Sequence, residues 1–86
     1  LRLDKFLKIS GIIRRRTVSQ EVIELGGVTK DGRTLKPSYE VKVGDLLTVR
    51  MKNETVQIKI TAIPLGNVRG SYFEIVSQKA NGGELD

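Results

Sequence analysis

The stretch "TVSQEVIELGGVTKDGRTL", residues 17–35, contains the change of period that decides the fold. Its first half reads as a helix. Thr17 suits an N-cap whose hydroxyl accepts from the Gln20 backbone N–H, while the Gln20 side chain reaches back to Thr17, a capping box. The helix is expected from about Val18 to Leu25, with Val18, Val22 and Leu25 as its buried stripe and Ile23 at the margin. Gly26 and Gly27 end it, because glycine takes the left-handed cap without a Cβ penalty. The second half reads as a hairpin, with Asp31-Gly32 as the two-residue turn and Gly32 as its permissive position. Pro37 stops the second strand or confines it to an edge.

Upstream, "LDKFLKI" places Leu3, Phe6 and Leu7 on one face of a first helix, with Lys5 and Lys8 off it. Gly11 interrupts, and Ile12 and Ile13 are expected to pack inward. Downstream the pattern is strand-like. "VKVGDLLTVRM" holds a turn at Gly44-Asp45, then a strand with Leu47, Val49 and Met51 on one face and Thr48 and Arg50 on the other. "KNE" at 52–54 is a turn. "TVQIKITAI" alternates, with Val56, Ile58, Ile60 and Ala62 inward. "PLGNVRGS" reads as a loop, and "YFEIV" as a last short strand with Phe73 and Ile75 on one face. Tyr72 and Phe73 are read as packing residues rather than base-stacking platforms, because they lie in an alternating strand. The polar, glycine-rich residues 79–86 read as a flexible tail. The expectation is one α+β domain over residues 1–78, with two short N-terminal helices packed on a small antiparallel sheet.

The 86 residues contain neither cysteine nor histidine, which removes disulfides, thiolate metal sites and the commonest general base. No cofactor and no metal are expected. No apolar run approaches the ~18–20 residues that span a bilayer. The first residues carry Arg2, Asp4 and Lys5 and no signal-peptide core, so a cytoplasmic protein is expected.

The net charge is +5, and its placement matters more than its size. Residues 1–16 hold six basic side chains, Arg2, Lys5, Lys8, Arg14, Arg15 and Arg16, against the single acid Asp4. The other seventy residues hold nine basic and nine acidic groups and are neutral. The whole excess sits at one end, which points to a polyanion. Arginine suits phosphate, since its planar fork bonds two oxygens and stays charged. The start of the second helix near Thr17 offers backbone N–H groups to an anion. Asp4 is read as positioning a neighbouring arginine. Lys30 and Lys36, on or near the hairpin, extend the patch.

Taken together, "RLDKFLK", "RRRT", "ELGGV", "DG", "LKPS" and "VKVGDLLTV" resemble the alpha-L RNA-binding motif, the S-four type of domain, over residues 2–51, with additional strands at 55–76. Gly11 departs from the pattern, standing where relatives often carry a basic residue. The sequence is most similar to the short stand-alone members that act in ribosome-associated quality control, and a small heat-shock RNA-binding protein is a more distant relative.

The resemblance implies a non-catalytic protein on obstructed large ribosomal subunits. It would touch large-subunit rRNA and peptidyl-tRNA and work beside the quality-control elongation factor that tails stalled chains. The RNA-facing residues expected from the charge placement are Arg2, Lys5, Lys8, Arg14, Arg15, Arg16, Thr17, Lys30 and Lys36, with Arg16 foremost because it abuts the start of the second helix, and the resemblance places Arg2 in the same patch. Asp4, Gly27, Gly32, Gly44 and Asp45 would be structural. A monomer is expected.

Three rival readings are weaker. Such domains also occur on rRNA-modifying enzymes, but 86 residues leave no room for a catalytic domain, and no acid pair or nucleophile–base pair is visible. A DNA-reading helix-turn-helix would not carry Glu21 and Glu24 on its second helix. A membrane-surface helix needs an exposed apolar face, and Leu3, Phe6 and Leu7 are spoken for by the core. An assembly or heat-shock rRNA-binding role remains the alternative to quality control.

Overall fold

The computed structural model describes residues 1–65 and 70–80, and of Arg16 only the backbone. Helices α1 (Leu3–Ile9) and α2 (Arg16–Glu24) precede strands β1 (Val28–Lys30), β2 (Arg33–Thr34), β3 (Leu46–Arg50), β4 (Glu54–Ile60) and β5 (Phe73–Ala80). The strands form one antiparallel sheet in the order β2-β1-β3-β4-β5. This is the expected α+β architecture. Among the described residues no helix is long and apolar enough to cross a membrane.

The core follows from two periodicities. Leu3, Phe6 and Leu7 of α1 are fully buried, and Ile13 folds in beside them after Gly11 turns the chain at φ +85°. Val28, Leu47, Val49, Val56, Ile58 and Ile60 meet them from alternate strand positions. Tyr72 is buried, and Phe73 packs half-buried against the same cluster. The Asp31-Gly32 turn has both central residues left-handed, at φ 54° and 79°, which fits the twist of the hairpin it closes.

The start of α1 has no side-chain cap. Its free N–H groups are satisfied by a loop instead: Leu3 N–H donates to Tyr39 O at 2.8 Å and Asp4 N–H to Pro37 O at 3.2 Å. The end of α2 is stapled to the sheet. Gly27 N–H donates to Val22 O at 2.8 Å, and Arg50 N–H to Gly27 O at 2.6 Å. A Cβ on Gly27 would lie 2.8 Å from Val22 O and 3.0 Å from Arg50 O, so only glycine fits.

Three local expectations are corrected. First, α2 starts at Arg16 with Arg15 in the cap position, and no side chain caps it. Thr17 is already helical and exposed, so the capping box does not form. The Gln20 amide bonds the buried Asp4 carboxylate instead, and a bond to a charged acceptor outcompetes a neutral one. Second, the buried face of α2 is Ser19 and Ile23, while Val18 is 41% and Leu25 82% exposed. Small Ser19 lets α2 approach α1 closely enough to donate its hydroxyl to Asp4 O at 3.1 Å, and that contact sets the rotation of the helix. Third, β5 runs on to Ala80, taking in Lys79 and Ala80 that read as tail. Backbone pairing to β4 through Glu54↔Ala80 needs no apolar side chains. Residues 81–86 lie outside the described residues.

Candidate nucleic-acid interface

The site is built around Asp4. Its carboxylate is buried and accepts four hydrogen bonds: Arg2 Nε at 3.1 Å, Arg2 Nη2 at 3.0 Å, Lys5 N–H at 2.8 Å and Gln20 Nε2 at 3.1 Å. Burial alone would raise its pKa. The hydrogen bonds from Arg2, Gln20 and the Lys5 backbone, with the Arg2 charge, outweigh burial and hold the carboxyl below its ordinary value. Asp4 thereby joins three things: the residue before α1, α1 itself, and α2.

Arg2 is oriented by this pair and still half-exposed. A guanidinium has five N–H donors, and two go to Asp4. The others have no protein partner among the described residues. Lys5 and Lys8 stand exposed on α1, off its buried face. Lys8 lines one groove with Arg14, across the Ile9–Gly11 corner. Arg14 and Arg15 are exposed, and Arg15 leads into the uncapped start of α2, whose first turn holds no acid. The side chain of Arg16, expected foremost, lies outside the described residues; its backbone opens α2. Thr17 sits exposed in the first turn. Lys36 is exposed on the loop that caps α1, one residue before Pro37.

Lys30 makes an ion pair within the fold and stays part-exposed. Its ammonium lies 3.1 Å from Asp45 Oδ1 and 5.9 Å from the centre of the Tyr39 ring. Asp45 is buried and also accepts from Tyr39 Oη at 2.8 Å and Lys42 N–H at 3.0 Å. Burial would raise the Asp45 pKa, but these bonds and the Lys30 charge hold it below its ordinary value. The hydrogen bond to Asp45 comes first among the causes that raise the pKa of Lys30. The cation is thus spent on bracing the turn where Gly44 adopts φ +95°. Sequence reasoning missed Gln20 and Ser19 as the links between the helices, and Tyr39 as a brace. The signal for the links was the lone acid Asp4 among apolar neighbours, which had to find donors.

Among the described residues no group of three or more acidic side chains is placed to hold a metal ion. The arrangement is a cationic corner with one internally oriented arginine.

Comparison with known proteins agrees with this architecture. The S4 domain family model matches residues 1–47. A protein of Streptococcus pneumoniae named RQC P-site tRNA stabilizing factor is 42% identical over 81 residues, covering 91% of this chain and 92% of its own. The protein of that name from Halalkalibacterium halodurans is 44% identical over 63 residues, covering 73% and 72%. The trimeric Heat Shock Protein 15 of Vibrio cholerae superposes with a TM-score of 0.78 at 27% identity, covering 90% of this chain and 82% of that one. The family model covers more than half of the chain, and the relatives at 42–44% identity cover 73–91% of it, so the chain belongs to the S4 domain family.

Proposed function

We propose that the chain is a non-catalytic RNA-binding protein of the cytoplasm that acts as a monomer on obstructed large ribosomal subunits. It contacts large-subunit rRNA and peptidyl-tRNA and supports the elongation factor that tails the stalled nascent chain. The observation that carries this reading is the corner itself. Arg2 is held by buried Asp4, Lys8 and Arg14 share a groove, and Arg14 and Arg15 stand exposed before an uncapped helix start. Such a surface meets phosphates through charge-assisted bonds, and A-form RNA is bound largely through its backbone and 2′-hydroxyls. The names of the relatives at 42–44% identity support the choice of ribosome and tRNA as targets. The likeness to Heat Shock Protein 15 supports the second reading, a heat-shock or assembly factor on rRNA.

Co-sedimentation with large subunits carrying peptidyl-tRNA tests both. The Arg14→Ala/Arg15→Ala variant and Arg16→Ala should each lower the bound fraction several-fold at moderate salt, with unchanged thermal melting. Unchanged binding would remove the assignment. Crosslinking in cells separates the readings. Adducts on large-subunit rRNA together with tRNA favour quality control, and adducts on precursor rRNA favour assembly.

A further inference from the structure

Among the described residues, the helices cover one face of the sheet and leave the other bare. Because side chains alternate, the register that buries Leu47, Val49, Val56 and Ile58 sends Thr48, Arg50, Thr55 and Gln57 to the bare face. Cross-strand partners extend this into two rows. One runs Thr29, Thr48, Gln57, Ser77, and the next runs Arg50, Thr55, Lys79. These rows contain hydroxyls, one amide and two cations, and no acid. The nearest acid in the same register is Glu74, which stands opposite Lys59. Arg50 and Lys79 form no ion pair among the described residues.

The rows are not flat. Gly27, Thr29, Thr48, Arg50, Thr55 and Lys79 line one cleft. Its floor is rigid where it matters, because the Arg50 backbone is bonded to Gly27 O at 2.6 Å.

We propose that this cleft is a second RNA-contacting surface, which grips the sugar–phosphate backbone of a segment other than the one held at the α1–α2 corner. The Arg50 fork suits two oxygens of one phosphate. Lys79 supplies a point charge two strand spacings away, ~10 Å at the backbone. The hydroxyls of Thr29 and Thr48 in the same cleft suit phosphate oxygens and 2′-hydroxyls. No aromatic side chain lines the cleft, so bases are not stacked there and recognition tolerates sequence. An acidic protein segment would meet the same cations, but the hydroxyl rows beside them match the phosphates and 2′-hydroxyls of RNA. The choice of RNA rests on the function proposed above.

The test uses the full chain and purified large ribosomal subunits as probe. Arg50→Ala/Lys79→Ala should lower affinity roughly tenfold and flatten the plot of log affinity against log salt by about one to two, the loss of one or two phosphate contacts. Arg14→Ala/Arg15→Ala should add to it. A photo-crosslinker at Thr48 should yield ribonuclease-sensitive adducts. An unchanged salt slope in the first variant, beside a loss in the second, would overturn the cleft and keep the corner. Failure of the unaltered chain to bind would overturn the RNA reading and the cleft with it. Ribonuclease-resistant protein adducts at Thr48 would assign the cleft to an acidic protein instead. If the double variant melts early, Lys79→Gln on the edge strand decides by the same slope.

Discussion

Arg2 and Asp4 form a two-point ion pair at the start of α1, Nε to Oδ1 at 3.1 Å and Nη2 to Oδ2 at 3.0 Å, and Asp4 spends its remaining capacity on α1 and α2. One side of the pair is buried and the other half-exposed. The pair therefore couples the packing of the helices to the aim of the half-exposed arginine that the proposed function places against RNA.

Asp4→Asn should cost about 1–3 kcal/mol of unfolding free energy, because it removes the charge and points an amide donor at other donors. Urea unfolding followed by circular dichroism measures it. The same variant should weaken ribosome binding, since Arg2 loses its orientation. Arg2→Lys should keep most of the stability and lose binding, because lysine has no fork. A midpoint for Asp4→Asn equal to that of the unaltered chain would contradict the central place given to this carboxylate.

Asp4 and Asp45 have folded-state pKa values below their ordinary value of 3.8. A depressed carboxyl contributes stability that is present above its unfolded pKa and is lost as pH falls through the folded one. Stability should therefore begin to fall near about pH 5, where the unfolded chain starts to take up protons, and go on falling through 3.8 and below, with Asp4→Asn and Asp45→Asn each flattening that decline. Thermal melts across acid pH check this. An identical decline in both variants would place the acid sensitivity elsewhere.

Gly27 and Gly11 should respond differently to alanine. Gly27→Ala drives a Cβ to 2.8 Å from Val22 O, which already accepts from Gly27 N–H, and should cost about 1–3 kcal/mol or more. At Gly11 the added Cβ meets nothing within 4 Å, and only the left-handed conformation resists it, at about 1–2 kcal/mol. Melting of the two variants side by side should rank Gly27→Ala as the less stable.

The face that α2 buries is open to a direct check. Ile23→Ala should cost about 2–5 kcal/mol, while Leu25→Ser and Thr17→Ala should each stay within about 0.5 kcal/mol. A cap at Thr17 would make its removal cost about 1 kcal/mol, and that result would restore the capping box.

Much of the fold was legible because it is local. Leu3, Phe6 and Leu7 announce a helix face, Gly26-Gly27 its successor's end, and Asp31-Gly32 a hairpin, each through interactions spanning a few residues. The misreadings arose where a distant partner intervened. Gln20 left Thr17 for a carboxylate sixteen positions away. Ser19 drew α2 against α1 and turned Val18 and Leu25 outward. For β5, the pairing strand β4 mattered more than its own polar side chains.

The sequence by itself determined the kinds of elements, the turns between them and the gathering of all excess charge ahead of residue 17, because periodicity, glycine conformations and charge count are properties of short stretches. Only the tertiary structure decided which cations are paired within the fold, Arg2 and Lys30. That choice belongs to two buried carboxylates, Asp4 and Asp45. A buried charge must find donors wherever the chain brings them within reach, and sequence distance does not measure that reach.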